Sequence, residues 1–387
     1  MAEYQFYQFQ TVNRALSRGE QIEINTWSSR ADVTPVSATF IYNYGSFKHD
    51  PEKCLLDYFD MMLYVANYGC RRLMFRFPAE LVDFKAMKSY VWKSNDDYEH
   101  TLSVYKKEKY VVVDMAENVE EGYDFWVEGE GILPTLAQIW IDIANGNYAC
   151  LYLAWAHFAS YFQEGRTDME DDGDDSDEVL MTEPRVPIGM KQPSGAVEMF
   201  MEFWGISDDL RTAAAQNSPV EQNRSATDLE QSLGNLSQEE KTTFLARFLR
   251  DEPHLRTALV KRLQEISDTP TAPASDNRRS LRALLEVETS VKEQRIEREK
   301  REAVEKRRLQ LEIMKNREGA MWEAVWANAL KKTGSSYEHA VNELKDLRDL
   351  ADYNGTRTLF EEKIAEIRAH CSRSTAFMER LRGAKLI

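Results

Sequence analysis

The sequence predicts an α+β N-terminal domain with a mixed or antiparallel sheet. An all-α C-terminal half follows, containing one long charged helix and short helical hairpins. Three observations support this. Fifteen of the 17 Tyr and 11 of the 17 Phe lie in residues 1–162, where period-two apolar runs typical of strands recur. Residues 1–180 hold 31 acidic and 15 basic side chains, so all of the net charge of −16 sits there and the rest of the chain is balanced. Finally, no Gly or Pro interrupts Ser280 to Arg317, and apolar residues beyond it recur at three- and four-residue spacing.

The elements follow in order. Tyr4 to Phe9, Val36 to Tyr44 and Leu73 to Phe77 read as strands. Leu102 to Tyr105 and Tyr110 to Met115 read as a hairpin turned at Lys106–Lys109. Ser17 with Glu20 three residues on is a capping box that opens a helix to Trp27. Asp50-Pro51 places a cap and a first-turn proline at the start of a second helix. Its apolar residues Leu55, Tyr58, Phe59, Met62 and Val65 predict that it runs to Gly69. Ile132 to Asn145 and Tyr148 to Phe162 form a helical hairpin turned at Asn145-Gly146-Asn147.

This first domain spans 1–163. Residues 164–193 form an acidic, Pro-containing linker, with nine acids and one Arg between Glu164 and Glu178. Residues 194–268 make a small helical domain, in which Ser237 and Glu240 form a second capping box. A linker at 269–279 precedes the long helix at 280–318, roughly 55 Å at 1.5 Å per residue. Its middle is nearly all charge, and Glu297–Arg301 and Glu302–Lys306 are favourable i,i+4 pairs, so it reads as a solvated strut. A helical bundle at 319–387 follows, with breaks signalled by Gly334 and Gly355.

Several function classes lose support. No apolar run is long enough for a membrane span, and the first residues have neither a basic nor an apolar signal region. The four cysteines are scattered, which disfavours a disulfide or zinc framework and fits a reducing cytoplasm. With Asp168 as position 1, the acidic tract mimics a calcium loop, but position 12 is Val179. The six histidines have no metal-ligand spacing, and His157 among Trp155, Phe158 and Tyr161 reads as a core residue. Cys70 beside Arg71-Arg72 could gain thiolate character, though a strand-entry cysteine is usually structural. Gly129-Glu-Gly131 lacks the pattern of a phosphate loop. No cofactor or metal site is expected.

The candidate partner-binding residues are aromatic, apolar or guanidinium groups. Trp322 and Trp326 share one helix face, and Tyr337, Leu344 and Leu347 belong to one apolar stripe. Arg72 and Arg76 fall on one face of a strand, with Arg71 on the other. They could meet a carboxylate or phosphate, or serve as salt-bridge residues.

The stretch from Thr34 to Pro51, continuing through Tyr58-Phe59-Asp60 and Leu63 to Gly69 up to Arg76-Phe77-Pro78, resembles a bacterial family with no assigned reaction. That family's pattern runs ITPTSF, W-G-D-F-K, Y-F-D and A-N-W-G-T-R. Here Tyr44, Ser46, Tyr68 and Cys70 stand in place of its Trp, Asp, Trp and Thr. The segment from Tyr337 to Leu350 and on to His370 is similar to the tail of bacterial SWIM zinc-finger proteins, without the zinc-finger cysteines. The first resemblance also suggests relatives beside defence systems, including accessory proteins of type III-E CRISPR loci.

Together these features predict a cytoplasmic, non-enzymatic protein–protein interaction or regulatory scaffold protein, an accessory factor of a bacterial defence or stress-response system. One alternative is an enzyme or small-ligand-binding protein with a pocket in residues 1–162. Another is a nucleic-acid-associated regulator that uses Lys292–Arg308.

Overall fold

The computed structural model describes residues 4–93, 100–118, 129–167, 181–219, 231–267 and 278–387. The chain divides into two compact units, Met1–Lys292 and Glu293–Ile387.

Unit 1 is built on an eight-stranded sheet. The strands are β1 (Gln5–Gln10), β2 (Ala31–Val33), β3 (Ser37–Tyr42), β4 (Met61–Ala66), β5 (Cys70–Pro78), β6 (Trp92–Lys93), β7 (His100–Lys107) and β8 (Tyr110–Asn118). Their order is β2-β3-β1-β4-β5-β8-β7-β6, and every neighbouring pair is antiparallel. Alternation sorts the side chains cleanly. Phe6, Leu63, Phe75 and Val113 enter one core with α4 (Ile132–Ala144), α5 (Ala149–Thr167) and α6 (Gly195–Trp204). Tyr7, Phe9, Met62 and Met74 enter the other, with α1 (Arg18–Asn25), α2 (Pro51–Tyr58) and Phe47. Gly129 is required by contact, because a Cβ there would lie 2.2 Å from the buried Phe6 ring.

The predicted helix from Asp50 to Gly69 is shorter than expected. Asp50 and Pro51 do start α2, but it stops at Tyr58, and Met61 to Ala66 is a central strand. An apolar run buried on both faces of a sheet carries helical spacing by coincidence. Gly69, at φ +90°, turns the β4–β5 hairpin.

The boundary expected at 163 also moves. Helices α6 and α7 (Asp208–Ala215) pack into the same core as α4 and α5, as do Leu281 and Leu284. Within the expected linker, Glu183 is buried, accepts from Tyr152 Oη at 2.9 Å and pairs with Arg279 Nε at 3.0 Å. Met190 is buried there too. Residues 168–180, which include most of the acidic tract from Glu164 to Glu178, and residues 269–277 of the second expected linker lie outside the described residues. Short helix α3 (Phe84–Met87), α8 (Gln238–Phe248) and α9 (Leu255–Ser267) complete the unit.

Helix α10 (Leu281–Lys315) runs across the division between units. Unit 2 contains its second part together with α11 (Glu318–Leu330), α12 (Gly334–Asn354), α13 (Arg357–His370) and α14 (Thr375–Gly383). Thr333 caps α12, so Gly334 begins that helix and ends none. Gly355, at φ +69°, closes it.

Candidate functional site

A cleft of about 310 Å³ opens at one end of the central strands of unit 1. Its floor is a buried polar cluster. Asp60 sits just before β4, where its N–H donates to the Gln10 carbonyl and its carbonyl accepts from the Arg76 N–H. Arg76, on β5, extends from the Met74 face of the strand. Its Nη2 donates to Asp60 Oδ1 at 2.6 Å, its Nη1 to the Leu56 carbonyl at 2.6 Å, and its guanidinium lies 4.5 Å from the Tyr110 ring centre. The Val12 N–H donates to Asp60 Oδ2 at 2.7 Å.

His254 completes the cluster. It lines the cleft at 5% exposure, with Nε2 at 3.5 Å from Asp60 Oδ1. Its ring stacks on Trp140 at 4.7 Å, and Trp140 in turn donates from Nε1 to the Arg76 carbonyl. The loop that delivers it is strained. Asp251 and His254 both hold left-handed backbones, at φ +51° and +60°, on either side of Pro253. Backbone in this region costs on the order of 1–3 kcal/mol per residue and persists where surrounding contacts enforce it. Burial works against the charge on Asp60, but the His254 hydrogen bond, Arg76 and the Val12 N–H outweigh it and hold the carboxyl below its usual range.

The walls are mixed in charge. Arg14 pairs with Glu20 at 3.5 Å and also donates to the Tyr58 carbonyl, while Arg247 pairs with Glu252 at 2.8 Å. Lys109, which is exposed, has no acidic partner among the described residues.

A second buried group lies under α5 and α6. Arg71 faces Glu117 at 3.9 Å and donates to the Phe203 carbonyl, and His100 Nε2 stands 3.6 Å from Glu117. Burial drives His100 and His157 down to about 4, His157 with help from the charges of His100 and Arg71. Among the described residues no three His, Cys, Asp or Glu side chains could hold a metal ion. Burial pushes the Cys70 thiol up, and its Sγ lies 2.8 Å from Asn118 Oδ1, so the neighbouring arginines do not activate it.

The expected partner anchors fare differently. Trp322 is 7% exposed and packs on Phe360, and Tyr337 stacks on Phe377 at 5.0 Å. Leu344 and Leu347 are buried in the same cluster. These four side chains form the interior of unit 2, because the stripe needs all of α12's inner face to bury α11, α13 and α14. Trp326 is half-buried, edge-on to His370 at 5.6 Å. Arg72 makes a two-pronged bond to Asp114, at 2.9 and 2.7 Å. Arg76 is a buried member of the cleft floor.

Uncovered apolar side chains lie elsewhere, at Val304, Leu309 and Ile313 of α10 and, with an aromatic ring among them, on α8. No residue of this helix is buried, and Leu245, Phe248 and the following Leu249 are 65, 67 and 83% exposed. Its capping box and an ion pair from Glu240 to Arg262 of α9, at 2.7 Å, hold it in place. On α10, all five arginines between 292 and 308 are ion-paired, among them Arg301 with Glu297, Arg298 with Glu302, and Arg307 with Asp346 and Asp349.

Sequence reasoning missed Asp60, Trp140 and His254 as cleft residues, and it read α8 as a helix without seeing that its apolar stripe stays exposed. A weak signal existed for two residues, since Asp60 and Arg76 are charges set inside apolar runs and both fall in the stretch that carries the family resemblance. Nothing in the sequence marks His254. The chain matches no protein-family model and no curated protein, and its fold matches no solved structure. No described helix is long and apolar enough to cross a membrane.

Proposed function

We propose that this is a non-enzymatic interaction protein, of regulatory or scaffold type, that docks on its partner through α8. The observation that supports the reading is the uncovered stripe formed by Leu245, Phe248 and Leu249, with the half-buried Phe244 beside it. These positions lie within about 140° of one another on the helix. An amphipathic helix ordinarily turns such a stripe inward, but α8 turns only Phe244 partly inward. Exposed apolar patches on the order of several hundred Å² are rare on monomers and mark interaction sites. Spacing of i, i+4 suits a partner with an apolar groove, and Lys241, one turn before Leu245, favours an acidic lip on that groove. Four free cysteines fit a reducing compartment, the cytoplasm.

The test is purification of the tagged full chain from the cells that make it. A partner should co-purify in fixed ratio. It should be lost with the Leu245→Ser/Phe248→Ser variant and kept with Glu239→Lys, on the opposite side of α8. Equal recovery with both variants would remove the reading.

A further inference from the structure

The charges at the two ends of the α8 stripe say what fits on it. Resting on the reading of α8 as the docking face, we propose that its occupant is the α8 of a second copy of this chain, laid antiparallel about a two-fold axis at the level of Ala246.

The stripe is apolar along its length and has an unpaired charge at each end. Lys241 precedes it and falls within about 20° of Phe248 around the helix. Its Nζ donates to the Gly234 carbonyl at 3.4 Å, and no acid pairs with it among the described residues. Asp251 follows the stripe in the turn that closes α8, where its N–H donates to the Phe248 carbonyl at 3.0 Å. It is exposed, on a left-handed backbone at φ +51°, and no base pairs with it among the described residues. The nearby charges are already matched within the chain. Glu240 pairs with Arg262, and Arg247 with Glu252.

A stripe with a cation at one end and an acid at the other is complementary to itself when turned end for end. About an axis at the level of Ala246, positions equally far from that residue meet. Lys241 then faces the second copy's Asp251, and Phe248 lies against the second copy's Phe244 and Leu245. Each of these contacts occurs twice. One interface thus covers the exposed Leu245, Phe248 and Leu249 and gives both end charges a partner. A partner of another kind would need its own acid and base at the same spacing, which a second copy already has. One helix face is smaller than the roughly 800 Å² per partner of a standard interface, so the pairing is concentration-dependent.

Sedimentation of the purified full chain over a concentration series tests this. The 44.9 kDa chain should enter a reversible monomer–dimer equilibrium, and Leu245→Ser/Phe248→Ser should stay monomeric. Lys241→Glu and Asp251→Lys should each weaken the dimer about tenfold, because each sets like charges together at two places. Lys332 and Lys385 adopt the same left-handed backbone, so Lys is tolerated at position 251. Mixed in equal amounts, these two variants should regain the parent's association, since every end contact of the mixed pair then joins a Lys to an acid. Lys241→Glu alone decides the matter if the Asp251 variant does not fold. The proposal fails if the parent chain stays monomeric, if the dimer persists in Leu245→Ser/Phe248→Ser, if folded charge variants associate like the parent, or if mixing them restores nothing. A monomeric chain whose partner capture in cells still needs Leu245 and Phe248 would overturn self-pairing and leave α8 as the docking face. A monomeric chain that captures nothing through them would remove both.

Discussion

The two units place their charges differently. In unit 2 the ion pairs are peripheral. Arg308 joins Glu305 and Glu312, Arg357 joins Asp352 and Glu361, and the interior is apolar. Unit 1 instead buries an acid, an arginine and a histidine together at the ends of its central strands and sets a second group, the half-buried Arg71 with buried Glu117 and His100, under α5 and α6. Burying a charge pair often stabilises less than apolar residues of the same volume would. Unit 2 therefore draws its stability from apolar packing, while unit 1 keeps buried polar groups that contribute less to it. Both units leave some apolar side chains uncovered, Ile313 and Leu359 of unit 2 at 66 and 56% exposure among them, but their aromatic residues are used differently. Unit 2 uses its aromatic stripe internally, and α8 of unit 1 leaves its stripe outside.

The sharpest way to break this contrast is to remove one partner from each kind of pair. Asp60→Ala leaves Arg76 buried without its acid, so a loss of about 3–5 kcal/mol is expected. It should appear as reduced hydrogen-exchange protection across β1, β4 and β5. Asp349→Ala, which removes a half-exposed partner of Arg307 in unit 2, should cost less than about 1 kcal/mol in the same experiment. If the two losses are equal, the distinction between the units is wrong.

Truncating the interior of unit 2 comes next. Leu344→Ala should cost about 2–5 kcal/mol, read from exchange in α12 and α13, because the side chain is fully buried. A change below 0.5 kcal/mol would mean that the stripe is not the core.

Acid should weaken unit 1 before unit 2. The folded values of His100 and His157, near 4, lie below their ordinary 6.5. Between those limits the unfolded chain binds more protons, so stability is full above about pH 6.5 and falls as the pH drops towards 4. Each histidine contributes at most roughly 3 kcal/mol to that loss. Melting temperature against pH should show the decline, and the His100→Gln/His157→Gln variant should flatten it. An unchanged slope would contradict the assignment. The smallest effect is expected from Leu245→Ser/Phe248→Ser, within about 0.5 kcal/mol of the parent chain, since exposed side chains contribute little to folding.

Much of the architecture was legible in the residues. The capping boxes at Ser17 and Ser237, the Asp50-Pro51 start and the Asn145-Gly146-Asn147 turn are local signals, and each forms as expected. Strand alternation on β5 also placed Arg72 and Arg76 together and Arg71 opposite. What failed depends on distant contacts. Met61 to Ala66 becomes a strand because β1 and β5 lie on either side of it. Trp322 looks like an anchor until Phe360 covers it. The cleft is less legible still, since Asp60 and His254 stand almost 200 residues apart and only the fold brings them to 3.5 Å. The uncovered face of α8 follows from the absence of a packing element on it among the described residues, which periodicity cannot reveal.

The most direct test places a photo-crosslinking amino acid at position 248 of the full chain, with position 239 as the control, and irradiates the cells that make the protein. Docking through α8 predicts one discrete adduct from position 248, none from position 239, and loss of the adduct when Leu245→Asp is added. No adduct at 248, or the same adducts from both positions, would contradict it.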